Sequence, residues 1–174
     1  VVYGELVAPG ATRNIVFYAH YDGQPVNEGE WSSAPFAPVL RSKPVQDGGS
    51  IIPLPAASTS FDPESRLYGR SSGDDKGPIM AMLSALDSLR AAGIATRSTL
   101  RFVFEGEEEA GSANLERILT NNKALVTGAV WLLCDGPTHP SRRQQIIFGA
   151  TGRMRFDVTV YGANVELHHG HYGN

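Results

Sequence analysis

Three apolar runs in this chain each stop at ionisable residues. Ile15-Val16-Phe17-Tyr18-Ala19 ends in His20-Tyr21-Asp22, the run over 100–104 leads into Glu105-Gly106-Glu107-Glu108-Glu109, and Ala129-Val130-Trp131-Leu132-Leu133-Cys134 ends in Asp135. Short apolar runs of this kind read as strands of a parallel sheet, whose two covered faces leave little room for polar alternation. In open α/β sheets the carboxyl ends of parallel strands form one rim, and ligands bind there. Residues far apart in sequence are therefore expected to converge.

A fourth segment belongs at the same rim. Gly69-Arg70-Ser71-Ser72-Gly73-Asp74-Asp75-Lys76-Gly77-Pro78 is a glycine-bracketed loop that carries two adjacent carboxylates to the start of a patterned helix. Pro78 suits a first helical turn, where its missing N–H costs nothing. Ile79, Met82-Leu83, Leu86 and Leu89-Arg90 follow helical spacing, and Gly93 can cap the end, so a helix is expected over 78–92. The plain reading of the two carboxylates is that Asp75 caps this helix and Asp74 is solvated.

Between residues 21 and 68 the prolines cluster, with Gly48-Gly49 among them, so loop with at most short strands is expected, pinned by Trp31 and Phe36. A second helix is expected over 113–120 and a further strand over 145–148. From Gly152 onward Met154, Phe156, Val158 and Val160 alternate, which predicts a half-exposed antiparallel strand and a domain boundary near Thr151. The fold expected is α/β, a three-layer domain with a mostly parallel sheet flanked by helices, plus the start of a small α/β lid.

Composition narrows the function without naming one. The 174 residues can bury a real core, and 18 acidic against 15 basic side chains, with no basic stripe, point away from nucleic acid and from an anionic membrane. No apolar stretch reaches the roughly 20 residues of a membrane-spanning helix, and no signal peptide is read. The compartment stays open, with the cytoplasm preferred. Cys134 is the single cysteine and reads as a small buried hydrophobe.

The converging carboxylates need a counter-charge. Two of them about 6 Å apart at an effective dielectric near 20 repel by roughly 3 kcal/mol. They could protonate, pair with Arg70 and Lys76, splay into water, or hold metal ions. One imidazole among several carboxylates suits zinc, manganese or cobalt better than calcium. Three successive glutamates are ordinarily a solvated turn, but a glycine turn at Ala110-Gly111-Ser112 would point neighbouring carboxylates different ways.

These residues also resemble, in order, the motifs of the co-catalytic zinc metallopeptidases that include carnosinases, carboxypeptidase G-type enzymes, acetylornithine deacetylase and succinyl-diaminopimelate desuccinylase. The motifs are His20-Tyr21-Asp22, Trp31 with Pro35-Phe36, the loop from Gly69 to Gly77, Glu108-Glu109-Ala110-Gly111-Ser112, and Asp135. The resemblance implies two Zn2+ ions (Mn2+ or Co2+ as substitutes) with Asp74 as the bridge, His20 and Asp135 on one ion and Glu109 on the other. It implies Asp22 as the orienting partner of His20, Glu108 as general base toward a metal-activated water, and a cis peptide bond between Asp74 and Asp75.

Further implications concern the assembly. His168, within Glu166-Leu167-His168-His169-Gly170, matches a His that reaches across a homodimer formed by the lid and stabilises the oxyanion; His169 and His171 depart from the pattern. The family's last ligand to the second ion is a His for which no residue here is a match, so the chain is expected to be a fragment. It would comprise a catalytic domain over 1–151, lacking its N-terminal edge, and the beginning of the lid over 152–174.

The resemblance implies hydrolysis of an amide bond in a dipeptide or short peptide. The Tyr21-Asp22-Gly23-Gln24-Pro25 stretch and the proline-rich segment favour a carnosinase-type peptidase. The alternatives are deacylation of an N-acyl amino acid, a non-catalytic relic that serves binding or assembly, and a metal-free hydrolase with paired carboxylates.

Overall fold

The structure, a computed structural model, describes residues 1–56, 60–152 and 154–170. Two compact units divide the chain, Val1–Pro137 and Thr138–Asn174. The first unit holds the elements assigned among the described residues, in the order β1 (Val2–Leu6), β2 (Asn14–His20), β3 (Val39–Arg41), β4 (Ile51–Ile52), β5 (Arg66–Tyr68), α1 (Lys76–Ala91), β6 (Thr99–Glu105), α2 (Leu115–Asn121), α3 (Lys123–Val126) and β7 (Val130–Leu133). None of the described helices is long and apolar enough to cross a membrane.

The main sheet has the strand order β1-β6-β2-β7. β2 runs parallel to both β6 and β7, while β1 is antiparallel on β6. The sheet is thus mostly parallel with one antiparallel edge, as the apolar runs led us to expect. Register places His20 opposite Glu105, so β2 and β6 end level with one another.

Alternation along β2 divides the packing between two faces. Val16, Tyr18 and Val103 form the buried cluster on one face, covered by Leu115 and Leu119 of α2, Val126 of α3, and Tyr3 and Trp131. On the other face Phe17 stacks on Phe102 with centroids 5.5 Å apart. There α1 faces the sheet across an apolar cleft of about 610 Å³ lined by Leu83, Leu86, Leu89 and Phe102. Helices therefore lie on both sides of the sheet. His20 and Tyr18, two residues apart, share the α2 face.

α1 begins two residues before the expected start and ends where its glycine dictates. Gly93 sits at φ 66, a left-handed conformation that suits a residue without Cβ. Its N–H bonds Arg90 and that of Ile94 bonds Leu89, closing the last turn.

The proline-rich segment is loop carrying a three-stranded sheet of order β4-β3-β5 and two 3-10 turns, Glu28–Glu30 and Val45–Asp47. Trp31 pins it as expected, with the Arg70 guanidinium 5.2 Å over its ring. Phe36 does not, being 71% exposed; the buried anchor is its neighbour Pro35, whose carbonyl accepts the Arg70 N–H. β7 is likewise less buried than its sequence suggested, because it is an edge strand paired only with β2, and Cys134 beyond it is half-buried.

Neither strand expected in the second unit forms among the described residues. Residues 145–148 and the described part of 152–160 have no strand assignment, and Phe148, Met154, Phe156, Val158 and Val160 are exposed. Alternation supplies a face, but a strand also needs a neighbour to complete its ladder.

Arg101 ties the sheet to the helical layer. It donates from Nε to Glu5 Oε1 at 2.9 Å and from one terminal nitrogen to the carbonyls of Ala124 and Thr127 at 3.1 and 2.7 Å, around the end of α3. Truncation to Ala removes three bonds from a charged donor. Arg101→Ala is expected to cost about 1–3 kcal/mol of stability, read as a lower urea midpoint, with Arg101→Lys recovering part of it.

Candidate metal centre

His20 is the last residue of β2 and is 1% exposed. Its ring Nδ1 lies 3.2 Å from Asp22 Oδ1 and its Nε2 lies 2.9 Å from Asp74 Oδ1. Asp135 Oδ2 and Glu108 Oε2 stand 3.8 and 3.9 Å from the same Nε2. Four carboxylates from four segments thus surround one imidazole.

Each arrives there for a local reason. Asp22 follows β2 after one residue, and Tyr21 still donates its N–H to the Glu105 carbonyl at 2.8 Å, which carries strand geometry past His20. Asp135 follows β7, whose neighbour Cys134 donates to the Tyr18 carbonyl. Asp74 ends the glycine-bracketed loop, where Ser71 sits buried at φ 62 and accepts the Lys76 N–H on its carbonyl.

The glutamates separate at the turn after β6. Gly111 and Ser112 adopt φ 90 and 53, and the Gly111 and Ser112 amides bond the Glu108 and Glu107 carbonyls, both at 2.8 Å. Glu107 turns to Asn114, which donates to both of its oxygens. Glu108 turns to His20, and Glu109 Oε2 accepts from Gln24 at 2.6 Å. Three consecutive acids thereby acquire three environments.

Asp22 does more than face the imidazole. While Oδ1 meets His20, its Oδ2 accepts the Glu109 N–H at 3.1 Å, so one carboxylate braces both β2 and the β6 turn. Asp75 is also present and buried, though not as the helix cap that is its plain reading. It occupies the position before α1 without a capping bond, and its Oδ2 accepts the His20 backbone N–H at 3.0 Å. The peptide bond between Asp74 and Asp75 is cis.

Electrostatics reflect the crowding. Burial works to lower the His20 pKa, but the hydrogen bond to Asp74 and the charges of Asp75 and Asp135 outweigh it and leave the imidazole raised. Burial pushes the Asp75 carboxyl up to about 6, against the pull of the His20 N–H. Burial raises Glu108 as well, with Asp135, Glu109 and Asp22 adding to it and His20 opposing. Both imidazole nitrogens face carboxylate oxygens, the arrangement of a doubly protonated ring.

A cation can replace that proton. Two overlapping groups bring ligand atoms within 4.8 Å of one another: His20 with Glu108 and Asp135, and His20 with Asp74 and Glu109. One imidazole nitrogen with carboxylate oxygens fits zinc, manganese or cobalt by donor chemistry. A divalent ion would also offset the mutual repulsion of these carboxylates.

Among the residues singled out in the sequence, His20, Asp22, Asp74, Glu108, Glu109 and Asp135 come together. The geometry places Glu108 within one ligand group, a position its assignment as base alone did not anticipate. His168 belongs to the second unit, where its ring stacks on His169 with centroids 4.4 Å apart and its Nδ1 accepts the Gly170 N–H. His171 lies outside the described residues. Two contributors escaped the sequence reading, Gln24 on Glu109 and Asp75 on His20; only the loop's second carboxylate hinted at the latter.

Comparison with known proteins gives this geometry its context. The chain is 27% identical to the Cys-Gly metallodipeptidase dug1 of Schizosaccharomyces pombe, over 99% of this chain and 33% of the relative. It is 29% identical to human Beta-Ala-His dipeptidase, over 99% of this chain and 30% of the relative. It therefore spans about a third of the length of these curated relatives.

Among solved structures, the M20 family metallo-carboxypeptidase Sso-CP2 of Sulfolobus solfataricus superposes with a TM-score of 0.60 at 28% identity, covering 81% of this chain and 27% of that one. Human carnosine dipeptidase 1 superposes with a TM-score of 0.55 at 27% identity, covering 77% and 25%. The family profile described as Peptidase family M20/M25/M40 matches residues 16–172, from within β2 past His168. With the metal-suited rim at the ends of its parallel strands, the chain belongs to the peptidase family M20/M25/M40.

Proposed function

We propose that the protein hydrolyses an amide bond in a dipeptide or short peptide, using two divalent metal ions, zinc foremost, at the rim around His20. The observation that carries this reading is the pair of ligand groups overlapping at His20. On the family resemblance, His20 and Asp135 would hold one ion, Glu109 the other, and Asp74 would be shared by both. Bound there, the metals would acidify a water and polarise the scissile carbonyl.

The chain's own groups supply the proton handling and the alignment. Glu108 is the general base: burial raises its carboxyl, which makes its conjugate base stronger, and its Oε2 stands 3.9 Å from His20 Nε2. It takes a proton from the attacking water and returns it to the leaving nitrogen. Asp22 holds His20 from the Nδ1 side, leaving Nε2 for metal, and through Glu109 N–H it also holds the opposite ligand segment. His168 would serve the oxyanion across a homodimer formed by the lid, with residues 1–151 as catalytic domain and 152–174 as the beginning of the lid.

A second reading, deacylation of an N-acyl amino acid, draws on 27% identity over 163 residues to the succinyl-diaminopimelate desuccinylase of Acidovorax ebreus. Turnover of dipeptides against N-succinyl amino acids by the intact protein separates the two. The site residues are common to both.

In the intact protein, Glu108→Gln should keep metal content, read by elemental mass spectrometry, while turnover falls by about 10²–10⁴-fold; Asp74→Asn should lose metal. Equal metal loss in both would make Glu108 a ligand instead of the base. His168→Ala should lower turnover with metal content intact, and mixing it with Glu108→Gln subunits should restore part of the activity. Failure of that complementation would remove the cross-dimer role.

The pH dependence follows from three shifts of one sign. Asp75, Glu108 and His20 all have raised pKa values in the fold, so each favours folding below its ordinary pKa and loses that contribution as pH rises through its raised value. For Asp75 the window runs from 3.8 to about 6, and for His20 it begins at 6.5. Metal-free protein should lose thermal stability across these windows, while the rise in Tm produced by added Zn2+ should grow with pH as the ligands release protons. A zinc effect that shrinks with pH would argue against this ligand set.

A further inference from the structure

Asp75 is a buried acid for which the proposed chemistry has no use. It is 1% exposed, yet its residue sits immediately before a helix, where an Asp ordinarily bonds the free amides of its own first turn. Here no such bond forms. The side chain reaches across to β2 and accepts the His20 N–H at 3.0 Å.

The sheet explains why that amide is available. β2 pairs with β7 only as far as Tyr18 opposite Leu133, with Cys134 N–H closing the last rung on the Tyr18 carbonyl. Amides of alternate residues point the same way along a strand, so His20 N–H faces the β7 side, where no further strand residue pairs. Tyr21 N–H, pointing the other way, is taken by Glu105 on β6. Asp75 thus stands in for the next rung and gives the buried His20 amide its partner.

Consecutive residues therefore grip His20 at both ends. Asp74 Oδ1 meets the ring Nε2 at 2.9 Å and Asp75 Oδ2 meets the backbone N–H at 3.0 Å. A backbone and a ring held by one loop cannot slide against that loop separately. We propose that Asp75 is a positioning residue, whose carboxylate sets the start of α1 in register with the end of β2 and so holds Asp74 and His20 at ligand distance. It belongs to neither of the two ligand groups. The inference rests on the reading of His20 and Asp74 as metal ligands, and it deepens that reading by naming what aligns them.

Asp75→Asn keeps an acceptor for the His20 amide, whereas Asp75→Ala removes it. The test is run on the intact protein, with amide hydrogen exchange at His20 followed in the metal-free state and Co2+ affinity followed by visible absorption. Asp75→Ala should speed His20 exchange and weaken Co2+ binding by about 10–100-fold. Asp75→Asn should restore the protection and most of the affinity, which a general loss of stability would not produce.

Unchanged His20 exchange in Asp75→Ala, or unchanged Co2+ affinity despite faster exchange, would overturn the positioning role. If Asp75→Ala does not fold, Asp75→Asn decides: a folded Asn variant with an unprotected His20 amide overturns it equally. A parent protein that binds no Co2+ would instead overturn the metal reading, and the His20 exchange of the metal-free variants would still show whether Asp75 holds that strand end.

Discussion

Placing a buried imidazole among carboxylates is the constraint on which the rest of this structure turns. His20 is held at both ring nitrogens and at its backbone amide by Asp22 of its own segment and by Asp74 and Asp75 of the loop before α1. Isolated acids buried this way would be costly, because each loses water and each repels the next. Among its described buried residues the fold accepts that cost at this rim and at Glu105, whose Oε2 accepts from the Tyr18 hydroxyl at 2.5 Å while its Oε1 is buried without a partner.

The sheet makes the arrangement possible. Parallel strands present their carboxyl ends to one edge, so the residues that follow them converge there however far apart they lie in sequence. β2 sits between β6 and β7 and is therefore the natural centre, and the residue that ends it is the histidine. The hydrogen bonds among the acids then act as braces: Asp22 links two ligand segments, and Gln24 holds Glu109.

Much of this was legible beforehand because apolar runs and glycine positions are local signals. The three parallel strands, α1 with its Gly93 cap, and six clustered site residues follow from spacing and from motif order. The strands expected over 145–148 and 154–160 failed for a physical reason: period-two alternation describes which face is apolar but does not create the neighbour that a ladder requires. Phe36 failed similarly, since an aromatic ring in a loop packs only if the loop turns it inward.

What the sequence by itself determined is the chemistry on offer at each strand end, because residue type and position after an apolar run are written in one dimension. Which acid does what is a matter of three-dimensional contact. Only the tertiary structure sent Glu107 to Asn114, Glu108 and Glu109 into different ligand groups around His20, and Asp75 away from its own helix onto the β2 backbone. Those choices depend on turn angles and on where β7 stops pairing, and no periodicity along the chain encodes either.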